Sequence, residues 1–82
     1  MMQRYAALSG NAGVRAFEAR DGRIIIEFND GSCYLYNAVR PGAQHVRRMT
    51  QLARSGWGLT TYINQYVREN YAERLDDRHP RS

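Results

Sequence analysis

Two Asp-Gly pairs, Asp21-Gly22 and Asp30-Gly31, set the fold of the first half of this chain. They stand nine residues apart and enclose the apolar run Arg23-Ile24-Ile25-Ile26-Glu27-Phe28-Asn29. Because Asp-Gly between apolar runs favours the tight turns of β-hairpins, this spacing predicts a short strand with an antiparallel neighbour on each side. We expect a three-stranded antiparallel meander, with strands over about residues 13–19, 23–29 and 32–38.

The length of the second turn decides which side chains share a face of this sheet. If residues 29–31 form a three-residue loop with Gly31 in the left-handed region, one face collects Ile24, Ile26, Phe28, Tyr34 and Tyr36. A two-residue loop would place both tyrosines opposite the Ile/Phe row. We favour the three-residue loop because it concentrates burial on one face.

Two helical segments are expected after the meander. The first begins around Val39-Arg40-Pro41, since proline suits the first turn of a helix, and extends to about residue 54. Ser55-Gly56-Trp57-Gly58 breaks it, and a second helix begins near Thr60 as the N-cap and frays between residues 75 and 77. Apolar residues recur at helical spacing in both segments: Val46, Met49, Leu52 and Ala53, then Ile63, Tyr66, Val67 and Tyr71.

These elements predict an α+β fold in the order β-β-β-α-α, with a three-stranded antiparallel meander covered on one face by two α-helices. A chain of 82 residues is sufficient for one small domain. We expect residues 1–8 to be an N-terminal extension, residues 9–75 to be the domain and residues 76–82 to be a disordered tail.

The sequence also favours a cytoplasmic protein without a membrane partner. Its one cysteine, Cys33, excludes an internal disulfide and fits a reducing compartment. No segment has the apolar length of a signal peptide or of a membrane span.

Positive charge and aromatic rings are interleaved in a 38-residue window, Gly31 to Arg68, that has no Asp or Glu. The formal net charge of +4 divides into 0 before the window, +5 within it and −1 after it. Such a composition is expected of a surface for an anionic partner, most commonly nucleic acid, although an arginine-rich genome and a solvated helix face would also give it. The window contains Arg40, Arg47, Arg48, Arg54 and Arg68 with Tyr34, Tyr36, Trp57, Tyr62 and Tyr66.

The order and spacing of several short motifs resemble the KTSC domain. These motifs are Tyr34-Leu35-Tyr36, Leu52-Ala53, the Ser55-Gly56 break, Tyr62-Ile63-Asn64 and Val67-Arg68 with Tyr71. The resemblance covers about residues 9–71, but the lysine of the family's usual Ser-Lys-Gly is missing and the connection over residues 55–61 is longer. KTSC domains occur at the C-terminus of some lysyl-tRNA synthetases and as small bacterial or phage proteins, so the resemblance implies RNA binding.

Three aromatic side chains are candidate contacts for a partner. Tyr34 and Tyr36 can stack on bases from a sheet face, or they are the core tyrosines that strands favour for packing. Trp57 stands between two glycines, where its ring either covers the helix ends or contacts a partner.

The loop that follows Ser55 is a candidate phosphate site. It leads backbone N–H groups into the start of a helix, and unpaired N–H groups with the helix dipole attract phosphate. The alternative is a helix-breaking connection that binds nothing. The candidate residues are Gly56, Gly58 and Thr60.

Catalysis and metal binding are not expected. Cys33 and His45 are the only thiol–imidazole combination and lie on different predicted elements, and a lone strand cysteine is usually a small buried hydrophobe. Two histidines and one cysteine without close spacing do not form a zinc site. We therefore expect no enzyme, no cofactor and no metal.

Two functions fit these features. The first is a non-enzymatic module that binds nucleic acid, RNA in preference to DNA, with the window's arginines on phosphates and Tyr34, Tyr36 or Trp57 on bases. The alternative is a protein-interaction module, such as a phage or bacterial adaptor or inhibitor that docks on an acidic surface of a larger complex. Ile25 and Leu35, with Phe17 as a further candidate, lie on the second sheet face and add the option of a homodimer.

Overall fold

The computed structural model describes residues 2–6 and 13–75, and it combines one antiparallel sheet with helices on one face. Within these residues the sheet has five strands in sequence order: β1 (Gln3–Arg4), β2 (Val14–Arg20), β3 (Arg23–Phe28), β4 (Cys33–Asn37) and β5 (Glu73–Arg74). The helical layer consists of α1 (Ala43–Ser55), α2 (Leu59–Tyr62) and a π-helix (Ile63–Val67). The α+β class and the antiparallel sheet are as predicted, but β1 and β5 add two strands.

Both Asp-Gly turns form where the sequence predicts them. Gly22 and Gly31 have φ angles of 75° and 91°, the left-handed conformation that glycine adopts without strain. In the β3–β4 pair, Ile24 lies opposite Tyr36 and Ile26 lies opposite Tyr34. The predicted register is confirmed, so the isoleucines and both tyrosines share the face that the helices cover.

The core lies between this face and the helices. Burial of the apolar side chains that meet there stabilises the layered arrangement through the hydrophobic effect. The sheet contributes Val14, Phe17, Ile24, Ile26 and Tyr36, and the helices contribute Val46, Met49, Ala53, Leu59, Ile63 and Val67.

A β-bulge explains why Phe17 belongs to this core. The register between β2 and β3 shifts between Val14 and Ala16, so that Val14 opposes Phe28 and Phe17 opposes Ile26. One extra residue reverses the alternation of side chains along a strand. The prediction that placed Phe17 on the second sheet face is wrong.

The N-terminal segment is part of the fold rather than an extension preceding it. β1 pairs with β2, and Tyr5 is 4% exposed in the core. The Tyr5 hydroxyl accepts a hydrogen bond from the backbone N–H of Leu59 at 3.0 Å. The predicted boundary at residue 9 therefore excluded a structural strand.

The helix ends differ from the prediction. α1 begins at Ala43 with Gly42 as its N-cap, so Pro41 precedes the helix. α2 begins at Leu59 with Gly58 as its N-cap, and Thr60 is not the cap. The Thr60 hydroxyl instead accepts a hydrogen bond from the backbone N–H of Val14 at 3.2 Å, which joins α2 to β2.

The second helical segment is also shorter than predicted, because it ends at Val67 and not near residue 75. The chain then turns, and the backbone N–H groups of Ala72 and Leu75 donate to the carbonyl oxygens of Leu35 and Cys33. Pairing with β4 satisfies these two backbone N–H groups, which a longer helix would have satisfied within itself. The predicted tail, residues 76–82, lies outside the described residues.

Among the residues that the structure describes, no helix has the length and apolar character needed to cross a membrane.

Candidate nucleic-acid interface

Two large aromatic side chains are prominent on the described surface. Tyr66, in the π-helix, is 59% exposed and Trp57, between α1 and α2, is 55% exposed. The Trp57 backbone N–H donates to the Ser55 hydroxyl at 3.2 Å, and its glycine neighbours both have positive φ angles. Trp57 therefore does not cover the helix ends as a buried plug, and its ring is accessible to a partner.

Tyr66 belongs to a cluster that joins α1 to the second helical segment. Its ring centroid lies 4.8 Å from that of Tyr62, with an angle of 41° between the ring planes. The Tyr62 hydroxyl lies 2.7 Å from Nδ1 of His45 on α1, and this contact orients the Tyr62 ring. Burial raises the pKa of the Tyr62 hydroxyl, and the charge of Arg48, which follows His45 by three residues on α1, opposes this effect. We call His45, Arg48, Tyr62 and Tyr66 the helical tyrosine patch.

The arginines of α1 are distributed over two sides of the helix. Arg47 and Arg54 line a groove of about 420 Å³ beside the β2–β3 turn, together with Arg20 and Asp21. Residues seven apart lie on the same side of an α-helix, whereas neighbouring residues differ by more than a quarter turn. Arg48 accordingly lies in the helical tyrosine patch, although it follows Arg47 directly. A bound strand would have to cross α1 to contact both.

The two remaining predicted arginines lie near the end of the second helical segment. Nε of Arg40 donates to Oδ1 of Asn70 at 2.7 Å. Arg68 lines a separate cleft between the π-helix and the β3–β4 turn. Both side chains are exposed, so all five predicted arginines are on the surface, but they do not form one continuous patch.

Tyr36 is not accessible to a partner, which corrects one of the predicted contacts. Its side chain is 0% exposed, and its hydroxyl has no hydrogen-bond partner among the described residues. Burial, with smaller effects from Tyr34 and Tyr71, raises the pKa of this hydroxyl. Tyr36 is a core residue.

Tyr34 is half-buried and packed by three side chains. Its ring centroid lies 4.6 Å from that of Tyr71 and 5.6 Å from that of Phe28, and the Arg74 guanidinium lies 5.6 Å from the same centroid. These contacts favour packing over an open stacking platform. Tyr34 still lines the cleft that contains Arg68.

The predicted phosphate loop is bonded internally. The backbone N–H of Gly56 donates to the Leu52 carbonyl oxygen, and that of Leu59 donates to the Tyr5 hydroxyl. Thr60 is buried and accepts from Val14. Gly56, Gly58 and Thr60 thus form a structural connection.

Cys33 and His45 each have a structural partner. The Cys33 thiol donates weakly to the Gly31 carbonyl oxygen at 3.8 Å, and His45 contacts Tyr62. Among the described residues, no group of three or more His, Cys, Asp or Glu side chains could hold a metal ion.

Tyr62 and Tyr66 belong to the acid-free window but were not among the predicted contacts. Tyr66 was expected on the apolar face because α-helical spacing aligns it with Ile63 and Val67. In the π-helix, hydrogen bonds join residues five apart and each turn is wider, so this alignment is lost. Ile63 and Val67 remain buried, whereas Tyr66 faces solvent. The sequence signal that could have identified these two tyrosines as contacts is their spacing of four residues.

No family model, curated protein or solved structure matches this chain.

Proposed function

We propose that this protein is a small non-enzymatic module that binds single-stranded nucleic acid, RNA in preference to DNA. The observation that carries the proposal is the exposed Tyr66 ring, which is held against Tyr62 on the helical side of the molecule, where the arginines of α1 are also exposed. Aromatic rings provide stacking surfaces for unpaired bases, and nearby arginines neutralise the phosphates between them.

The distribution of charge supports an anionic partner on the helical side. α1 has no acidic residue in its first turn and carries the exposed Arg47, Arg48 and Arg54. Two of the described carboxylates are paired with arginines of the sheet, since Glu27 binds Arg15 and Glu18 binds Arg20. α1 itself presents arginines and no carboxylate to an approaching phosphate, and the carboxylate beside it is that of Asp21, which lines the groove with Arg47 and Arg54. The preference for RNA rests on the resemblance to KTSC domains.

A salt titration tests the electrostatic part of this proposal. If four or five arginines contact single-stranded phosphates, log K against log salt should have a slope of about −3 to −3.5, at roughly −0.7 per contact. The double substitution Arg47→Ala and Arg48→Ala should reduce the steepness by about 1.4 when the bound strand crosses α1 and contacts both side chains, and by about 0.7 when it contacts Arg48 alone. Arg15→Ala with Arg23→Ala removes the same charge from the sheet and serves as the matched control. No binding to oligouridine at low salt would reject the proposal.

Substitution of Tyr66 tests the stacking part. Tyr66→Ala should weaken binding to oligouridine by about 1 to 3 kcal/mol, the usual contribution of one stacked base. Tyr66→Phe keeps the ring and should retain most of the affinity. Equal affinities for the wild type and Tyr66→Ala would exclude this ring as the stacking surface.

The exposed Trp57 favours protein interaction as the second candidate function. Arg, Tyr and Trp are enriched at protein interfaces, and Val39, at 90% exposed, adds a further apolar contact near Arg40. Ile25 and Leu35 are half-buried on the outer sheet face and offer a surface for a second copy of the chain. Oligonucleotides should quench Trp57 fluorescence under the first function and leave it unchanged under the second. Sedimentation at several protein concentrations tests for the homodimer.

A further inference from the structure

We propose that the cleft between the π-helix and the β3–β4 turn binds a guanine base of the bound RNA. The cleft has a volume of about 570 Å³, within the usual range for pockets that bind small molecules. Aromatic and polar side chains meet in it, as in most such pockets: Phe28, Tyr34 and Tyr71 with Asn64, Arg68 and Glu69. The inference rests on the proposed function, because it identifies a base within the same nucleic acid.

The polar side chains of this cleft come from the π-helix and from the turn that follows it. Asn64 lies within the π-helix, and Arg68 and Glu69 begin the turn where the helix ends. These three side chains line one cleft. π-helical turns occur frequently at functional sites.

The apolar wall suits a planar ligand. Tyr71 packs against Tyr34 at 4.6 Å and against Tyr36 at 6.5 Å, which fixes its ring at the cleft. Phe28 packs edge-on against Tyr34 on the strand side. A base inserted between the strand and the π-helix would contact these rings while its edge faced the polar side chains.

The polar groups select guanine among the four bases. The Watson–Crick edge of an unpaired guanine presents two adjacent donors, N1–H and the N2 amino group, and a carboxylate can accept from both. Glu69 supplies that carboxylate, whereas Asp30 on the opposite rim already accepts hydrogen bonds from the backbone N–H and hydroxyl of Ser32. The amide of Asn64 and the guanidinium of Arg68 are donors for O6 and for the adjoining phosphate.

Binding of labelled oligouridine with one central guanosine tests this assignment against oligouridine alone. The guanosine should raise affinity about 10-fold, in line with the discrimination from one bidentate contact. A central adenosine should increase the affinity little. A central inosine, which lacks the N2 amino group, should lose most of the gain in affinity that guanosine provides. Equal binding of all four probes would overturn the guanine site and leave the proposed function standing. Failure of every probe to bind would reject the proposed function itself.

Two carboxylate substitutions separate base recognition from general electrostatics. Glu69→Gln should abolish the preference for guanosine, while Glu73→Gln removes the same charge from β5, outside the residues that line the cleft. Both substitutions should raise the affinity for oligouridine alone to a similar extent. If Glu69→Gln retains the guanosine preference, or if Glu73→Gln also loses it, the assignment is wrong. Thermal melting verifies that both variants are folded.

Discussion

Tyrosines occur both in the core and on the helical surface of this protein, and they have opposite roles in the two regions. Tyr5 and Tyr36 are buried in the core, whereas Tyr66 is open to solvent and packs against Tyr62. All four lie in a chain whose composition indicates an aromatic, basic protein. The layer in which a ring lies, rather than its presence in the acid-free window, therefore decides whether it can contact a partner.

The largest expected effect comes from removing a core ring. Tyr36→Ala should lower the free energy of unfolding by about 3 to 5 kcal/mol, because it leaves a cavity between the sheet and the helices. Tyr66→Ala should change it by less than about 0.5 kcal/mol, as is usual for surface substitutions. Denaturant unfolding of both variants measures the difference. Equal losses would break the distinction between the two groups.

Removing a single hydroxyl should separate the two core tyrosines. Tyr5→Phe leaves the Leu59 N–H without its partner and should cost about 1 to 3 kcal/mol. Tyr36→Phe removes a buried hydroxyl that has no partner among the described residues, and should leave stability unchanged or increase it. The same denaturant measurement applies. A loss in Tyr36→Phe as large as that in Tyr5→Phe would show that the Tyr36 hydroxyl is satisfied in solution.

A further test uses the pH dependence of stability. An unfolded tyrosine ionises near pH 10, and burial raises the pKa of Tyr36 above this value in the folded protein. Above pH 10 the unfolded state loses a proton that the folded state keeps, so stability should fall by up to about 1.4 kcal/mol per pH unit. Below pH 10 this contribution is fully present. Tyr36→Phe should show a shallower decline between pH 10 and 11, and an unchanged decline would assign the effect to other tyrosines.

The smallest expected effect on stability concerns Trp57. Since its ring is largely exposed, Trp57→Ala should change the free energy of unfolding by less than about 0.5 kcal/mol. The free protein should show red-shifted tryptophan emission. Blue-shifted emission combined with a large fall in melting temperature would place Trp57 with the core aromatics and remove it from the interface.

The sequence was sufficient to predict the central strands because its signals there are local. The Asp-Gly turns, the alternation over residues 23–29 and the loop length at Gly31 together predicted β2, β3 and β4 and the facing of Tyr34 and Tyr36. α1 was predicted from its apolar spacing, and it begins two to four residues later and ends one residue later than expected.

The added strands and the π-helix could not be predicted in this way. β1 and β5 are two residues long, too short for a pattern of alternation, and they depend on pairing partners elsewhere in the chain. Thr60 resembles an N-cap locally, but its hydroxyl bonds to Val14, which is 46 residues away in sequence. Tertiary contacts therefore override the local preference.

The positive charge of the candidate site was predicted from the sequence, but the accessibility of its aromatic rings was not. The exposed arginines follow from a charged helix face, whereas the accessibility of each ring depends on the helical period and on the layer above the sheet. Tyr66 was expected on the apolar face because an α-helical period was assumed. For Tyr36, stacking on a base and packing in the core stayed open as alternatives, because its burial depends on the helical layer above the sheet.

The hydrogen bond between Tyr5 and Leu59 also dictates an order of events during translation. The two residues are 54 positions apart, so the ribosome produces Tyr5 long before its partner exists. The hydrogen bond can therefore form only after the chain from Tyr5 to Leu59 has emerged from the ribosome. A contact between residues so far apart in sequence carries a larger loop-closure entropy cost than the local hairpins of the sheet.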